Sequence, residues 1–398
     1  IWLFIQKKYN NNMVKRNIIA LVDCDSFFVS VEQALNPELK NKAVCVLSNN
    51  DGCVVARSKE AKTLGITMGM PYFIAKREYK NCHYLSGNHE KYEEFSKKIM
   101  AILRDFSPDV EVYSIDEAFV DLTGLKRLYK KNYAKIALMI RERIREEVDV
   151  PVSIGLSTSK TLAKLASDKA KKTNGLYIIG SRKIEKELKN TSIDEVWGIG
   201  KNISLLLKQN GIYDSWKLVS QTDEWLKSKI SIKAVELKHE LLGETVSKVD
   251  NSEKIPQSIQ DTSSFREFTT DKNFIVNSLN KHIHKTCRKL REYNACCQSI
   301  SVIIRTKDFR VFKEKKVLTN PTNFELEISN IAKELLEKIY EPDILYRSSG
   351  IVLEKFSFNQ EEQLFLFDTE ISEKKKKLAK SIDNIEKKYG KNSIKTGY

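Results

Sequence analysis

Cysteine is scarce and badly placed for the chemistries it usually serves. The seven residues are Cys24, Cys45, Cys53, Cys82, Cys287, Cys296 and Cys297. They are odd in number and form no C-x-x-C pair, so neither a disulfide framework nor a zinc site is indicated. Free thiols in a reducing cytoplasm are the expected state. No apolar run is long enough to span a bilayer. The opening IWLFIQKKYNNNM lacks the basic-then-apolar order and small-residue cleavage site of a signal peptide. Because Met13 stands directly before the first strand-like run, residues 1–12 are expected to be an extension outside the fold. No internal repeat of 20–50 residues is visible. Acid is also in short supply. Asp and Glu number 53 against 68 Lys and Arg, a net charge of +15, which is the footprint of a polyanionic partner.

What is present is a chain of 398 residues with an ordinary apolar fraction, long enough for several domains. IIALVDC (18–24) has the β-branched, apolar character of a buried strand. Val44–Leu47 is a second short strand, and 110–113 and 118–122 are two more, separated by Ser-Ile-Asp-Glu. Ile136, Ile140 and Ile144 recur at helical spacing in a helix over 130–147. Strand 152–156 precedes a helix from Ser159 to about Lys172. Residues 181–250 are helical and lysine-rich, opening on the turn Val196-Trp197-Gly198-Ile199-Gly200. From 259 onward the pattern becomes β-α-β-β-α-β, the order of a small ferredoxin-like domain.

Three acids carry the chemistry. Asp23 ends a buried strand, and Asp116 and Glu117 sit between two apolar strands. Any one of them alone reads as a solvated turn residue. Converging from neighbouring strand ends, they would repel one another unless cations neutralised them. Two Mg²⁺ ions do this and clamp both oxygens of a phosphoryl transfer. Hard oxygen donors without histidine or thiolate suit that ion. The residues by themselves leave open a polymerase, a cyclase or a nuclease.

The segment from VDCDSFFVSVEQALNPELKNKAVCVLSNNDGCVVARSKEAK to GMP resembles the opening of a Y-family translesion DNA polymerase, and LSNNDGCVVAR its UmuC-type branch. VYSIDEAFVDLTG, SIGLSTSKTLAKLASDKAKK and VWGIGK resemble the later motifs in the family's order. The resemblance implies an α/β (α+β) multidomain right-hand fold. Its palm would be 13–35 and 86–180, its small fingers 36–85, and its helical thumb 181–255 with a helix-hairpin-helix near 196–212. A ferredoxin-like little finger would occupy 259–358, and a tail 359–398.

The resemblance also assigns roles. Asp23, Asp116 and Glu117 are the implied catalytic ligands of two Mg²⁺ ions, with the backbone carbonyl of Cys24 as a fourth. Phe27 and Phe28 would meet the nucleotide, Phe28 as the steric gate that collides with a 2′-hydroxyl. Lys62 and Lys171 would bind the triphosphate, while Lys59 stands where many relatives carry an aromatic residue. Gly198, Gly200, Lys201 and Arg305 would bind primer–template DNA, the glycines by letting backbone approach phosphate. Gln363, Leu364, Phe365, Leu366 and Phe367 resemble the peptide that binds the β sliding clamp. Exposed apolar anchors of this kind need a partner to bury them. A UmuD-like processed dimer and a RecA filament are further implied partners. The implied activity is low-fidelity primer extension past damaged bases with deoxynucleoside triphosphates, in a bacterial cytoplasm. The competing readings are a non-catalytic DNA- and clamp-binding regulator, which predicts loss of a carboxylate, and a two-metal nuclease, which has no use for Phe28.

Overall fold

A computed structural model describes residues 17–252 and 255–358, together with 377–378, 381–386, 388–390 and 393. The expected extension 1–12 and the clamp-type segment Gln363–Phe367 lie outside the described residues. The chain divides into two compact units, residues 1–252 and 253–398. Among the described residues no helix is long and apolar enough to cross a membrane, and all seven cysteines are free thiols.

The first unit starts with β1 (Ile19–Cys24), buried along its whole length, and α1 (Phe27–Leu35). A small three-stranded layer follows, built from β2 (Val44–Leu47), β3 (Val54–Arg57) and, after α2 (Lys59–Thr63) and α3 (Tyr72–Glu78), β4 (His83–Ser86). Its order is β3-β2-β4, over a separate core of Cys45, Leu47, Val54, Ile66 and their neighbours. The chain then makes α4 (His89–Phe106), β5 (Val110–Val112), β6 (Glu117–Asp121), α5 (Leu125–Tyr129) and α6 (Tyr133–Val148). Next come β7 (Val152–Ser157), α7 (Lys160–Ala170) and β8 (Leu176–Ile178). The main sheet runs β5-β6-β1-β7-β8, so β1 lies in the middle with β6 and β7 antiparallel on either side. Its core holds the helical stripe Ile136, Ile140, Ile144 that the sequence spacing indicates.

Two local features bring α7 close to the sheet. A Cβ on Gly155 would lie 2.1 Å from the Ser167 backbone nitrogen and 2.2 Å from the Ala163 carbonyl oxygen, so only glycine permits this approach. The helix start is capped twice. Ser159 Oγ accepts from the Leu162 amide at 3.3 Å, and the Glu240 carboxylate accepts from the amides of Thr161, Val246 and Ser247. Charge at a helix N-terminus and multiple amide donors both favour the carboxylate there. Glu240 belongs to a run of short helices, α8 (Ile184–Lys189), α9 (Lys201–Gln209), α10 (Ser215–Val219), α11 (Asp223–Lys229) and α12 (Ile232–Leu241), which share one apolar core.

The second unit has β9 (Ser258–Thr269), α13 (Lys272–Glu292), β10 (Ala295–Thr306), β11 (Val311–Thr322), α14 (Glu325–Ile339) and β12 (Tyr346–Phe358). The β-α-β-β-α-β order is the one read from the sequence. The sheet order is β11-β10-β12-β9, every pair antiparallel. The second and fourth strands therefore hold the centre, where a ferredoxin-like sheet has the first and third. The burial of β10 and β12 against the two helices is the physical reason, since both are largely buried while β9 and β11 are mostly exposed.

Candidate active site

Antiparallel register sets Asp23 opposite Glu117. The amide of Cys24 donates to the carbonyl oxygen of Asp116 at 2.9 Å. All three acids thus meet at one end of the two central strands, which sequence order alone does not dictate. Their carboxylates are differently engaged. Asp23 is buried, and its Oδ2 accepts from Lys171 Nζ at 2.6 Å and Lys164 Nζ at 3.3 Å. Lys164 also bonds Glu117 Oε1. Asp116 Oδ1 accepts from Ser114 Oγ at 2.5 Å.

Burial, with Asp23 opposite, pushes the Glu117 carboxyl up to about 7, and Lys164 counters this only in part. The Lys164 ammonium is raised despite its burial, because Glu117 and Asp23 favour its charge. Burial pushes the Cys24 thiol far up, and the surrounding acids add to this. Asp25 lies just past the strand, its Oδ1 accepting from Ser153 Oγ at 2.8 Å, and burial raises its pKa.

As donors, the three carboxylates and the Cys24 carbonyl form an all-oxygen set that fits Mg²⁺. Among the described residues no group of three or more His, Cys, Asp or Glu is already gathered as a metal cage. Lys164 lies against both Asp23 and Glu117, and Lys171 against Asp23.

The nucleotide-site candidates separate. Phe28 is half-buried, stacked on Tyr92 with ring centroids 4.4 Å apart and with the edge of His89 at 5.7 Å. Tyr92 is fixed in turn, its hydroxyl donating to Glu32 Oε1 at 2.7 Å. Phe27 turns the other way, 3% exposed within the core, so of the two rings only Phe28 keeps appreciable exposed surface. Lys62 reaches across from α2 to donate to Ser26 Oγ at 2.9 Å. Burial lowers its pKa, and the charges of Arg57 and Lys171 lower it further. Lys62 and Lys171, from distant parts of the chain, therefore both stand near Asp25, with Lys171 also on Asp23 and Arg57 close to Lys62.

Gly198 has φ +94°, with open space where a side chain would be. Gly200 caps α9 without any side-chain acceptor, which leaves its first amides available to an anion. Trp197 fixes this turn, donating from Nε1 to the Tyr113 hydroxyl at 3.1 Å and packing on Phe119. Lys201 is exposed beside the turn, and Arg305 is exposed on β10 of the second unit.

Sequence reasoning missed Lys164, Tyr92 and Arg57. Lys164 could have been found, since it lies seven residues before Lys171, two helical turns along the same face. Nothing local marks Tyr92, whose contact with Phe28 is tertiary.

The chain is similar to known proteins along most of its length. The model of the impB/mucB/samB family matches residues 22–168, and that of the impB/mucB/samB family C-terminal domain matches 256–366. Protein UmuC of Salmonella typhimurium is 32% identical over 95% of this chain and 92% of its own. DNA polymerase IV of Dehalococcoides mccartyi is 35% identical over 94% and 96%. Among solved structures, a Y-family DNA polymerase chimera of Dbh and Dpo4 aligns with TM-score 0.72 and 28% identity, over 86% of this chain and all of the other. An insertion ternary complex of Dbh DNA polymerase aligns with TM-score 0.59 at the same identity and coverage. The fold is that of a Y-family enzyme, a DNA-directed DNA polymerase with a palm, fingers, thumb and little finger. Within that class the chain belongs to the impB/mucB/samB family, the UmuC-type branch of translesion polymerases. Y-family polymerases use divalent metal ions.

Proposed function

We propose that this protein extends primers past damaged template bases by nucleotidyl transfer at Asp23, Asp116 and Glu117, with primer–template DNA and deoxynucleoside triphosphates as substrates. The observation that carries the reading is the pairing of Asp23 with Glu117 across two central strands, with Asp116 joined to Cys24 beside them. These acids and the Cys24 carbonyl would hold two Mg²⁺ ions. When bound, the ions supply neutralisation of the triphosphate and a more acidic primer hydroxyl.

The chain's own residues do the rest. Lys62, Arg57 and Lys171 form a cationic wall suited to the β- and γ-phosphates, and charge-assisted bonds to phosphate are the strong ones. Lys171 would leave Asp23 for the incoming nucleotide, an exchange of one anion for another. Phe28, held by Tyr92, presents a flat ring where a deoxyribose fits and a 2′-hydroxyl collides. Asp25 is tied to Ser153 and keeps the strand end in place. The primer 3′-oxygen attacks the α-phosphorus, the bond to the β-phosphate oxygen breaks, and pyrophosphate leaves with that electron pair. The open turn at Gly198 and Gly200, with Lys201, would hold a backbone phosphate without reading sequence, and Arg305 would hold another.

The tail segment Gln363–Phe367 would bind the β sliding clamp, raising the effective concentration at a primer end. A UmuD-like dimer and a RecA filament are proposed on the similarity to Protein UmuC alone, together with a cytoplasmic location.

Primer extension on undamaged and abasic templates tests the reading. Mg²⁺-dependent extension is expected on both, and Asp116→Ala should lower the rate by about 10³-fold or more. Absence of extension by the unmutated protein sinks the proposal, and full activity in Asp116→Ala sinks the site. In the same assay with clamp added, deleting residues 363–367 should remove clamp stimulation while distributive synthesis continues. Undiminished stimulation rejects the clamp assignment.

A further inference from the structure

The loop joining β10 to β11 breaks a rule of hairpin chemistry. Thr306 and Arg310 close it, the Thr306 amide donating to the Arg310 carbonyl oxygen at 2.9 Å and the Arg310 amide to Thr306 Oγ1 at 3.1 Å. The three residues between end on Phe309, whose φ is +69°. Three-residue hairpins place glycine or asparagine at this left-handed position. A bulky residue there is strained and survives where something else requires it. Burial does not require it, because Phe309 is 62% exposed.

The surroundings indicate what does. The Arg347 guanidinium at the start of β12 stacks on the Phe309 ring at 3.8 Å from its centroid. It also lies 5.9 Å from the ring of Phe268, at the end of β9 and 45% exposed. Lys307 stands 5.8 Å over that same ring. Three neighbouring strand ends thus contribute two exposed aromatic rings interleaved with two cations. The hollow alongside, about 470 Å³, is lined by Lys307, Asp308, Arg310, Asp343, Ile344 and Leu345. Its charges balance, and Arg310 is already paired with Asp308 at 2.7 Å. A small free anion therefore gains little there, whereas a flat ring beside a phosphate gains on both counts.

We infer that Phe309 and Phe268, with Arg347 and Lys307, form a base-stacking platform for single-stranded DNA, such as the unpaired template ahead of a primer. Aromatic faces accept any base, and interleaved cations follow the backbone without reading sequence. The inference rests on the polymerase reading for its choice of nucleic acid over an acidic protein segment. It assigns Phe309 a role that outweighs the strain of its backbone.

The test measures anisotropy of labelled DNA with the full chain, using a primer–template with a long unpaired template overhang and a blunt duplex of equal paired length. Phe309→Ala should weaken binding to the overhang substrate about 5- to 10-fold and leave the blunt duplex unchanged. Phe309→Trp should restore it. Arg347→Gln should lower the salt-dependence slope on the overhang substrate by about one. Phe309→Gly removes both the ring and the strain, so it should bind the overhang as weakly as Phe309→Ala without melting earlier than the parent. Equal loss on both DNAs overturns the proposal, as does no loss on either, which is the result a protein-docking surface would give. Earlier melting of Phe309→Gly overturns it too, by making the ring a structural prop. Primer extension by the parent on the same substrate is read separately, so failure of the polymerase reading shows as absent extension whatever the anisotropy.

Discussion

Phe28 illustrates how much a single side chain depends on its support. Its ring lies nearly parallel to Tyr92, at 15°, and Tyr92 is completely buried with its hydroxyl tied to Glu32. A gate must be rigid to discriminate, because a ring free to swing would let the larger sugar pass. Phe28→Ala should therefore reduce the preference for deoxynucleotides over ribonucleotides by about 10²-fold, the range available to a steric pocket. Steady-state kcat/KM for paired dNTP and rNTP checks this, and an unchanged ratio rejects the assignment. Lys164 matters at the same scale. It bridges Glu117 and Asp23 and lets two acids share a buried corner that repulsion would otherwise force apart.

At the scale of elements, the pairing of β7 with α7 decides whether the lysines reach the acids. Backbone atoms of Ala163, Ala166 and Ser167 lie where a Gly155 Cβ would sit. No side chain is there to yield, so the helix itself would have to move. Gly155→Ala should destabilise the protein by about 3 kcal/mol, the cost of overpacking a tight core. It should also lower activity in the surviving folded fraction, since α7 carries Lys164 and is followed directly by Lys171. Denaturant unfolding with activity per folded molecule separates the two effects, and a neutral substitution would refute the account. Because β7 is also hydrogen-bonded to β1 along its length, a shift of α7 would reach the strand that carries Asp23.

Over the whole molecule, charge is excessive outside and carefully matched inside. In the second unit the helical segment 381–386 lies on α13. Asp383 accepts two bonds from Arg291, both at 2.7 Å. Glu386 accepts from His284 Nε2 at 3.0 Å, while His284 Nδ1 faces Glu325 at 3.1 Å. Arg288 stands 3.5 Å from Glu386. A carboxylate on each ring nitrogen favours the charged imidazole, and its pKa is raised chiefly by Glu325, against burial. A folded-state pKa above the unfolded one, near 6.5, stabilises the docked form fully below that value. The contribution fades as pH rises through the higher folded value. Protection of residues 381–386 from hydrogen exchange, corrected for intrinsic rate, should fall between neutral and alkaline pH. His284→Gln should flatten that dependence, and a slope retained in the variant would exclude His284 as its source.

The identity of the acids, their order and the strand-helix pattern around them were legible because the main chemistry sits on strand ends. Alternating or continuous apolar runs locate such ends, and a charged residue at the end of a buried run stands out. The helical stripe from Ile136 to Ile144 and the order of the second unit's elements were legible for the same reason, as periodicity is local. The strands 54–57 and 83–86 were not, being partly exposed and, unlike Val44–Leu47, carrying polar or charged residues. Phe27 and Phe28 are adjacent and chemically identical, and only packing sent one to the core and the other to the site. The sheet order of the second unit, the partner of His284 and the Lys62–Arg57–Lys171 cluster each join residues far apart in the chain. So does the Arg347–Phe309 stack, and the burial that sets such partners exists only once the chain has folded. By itself the sequence determined which acids stand at the ends of buried runs. The tertiary structure decided which of them meet.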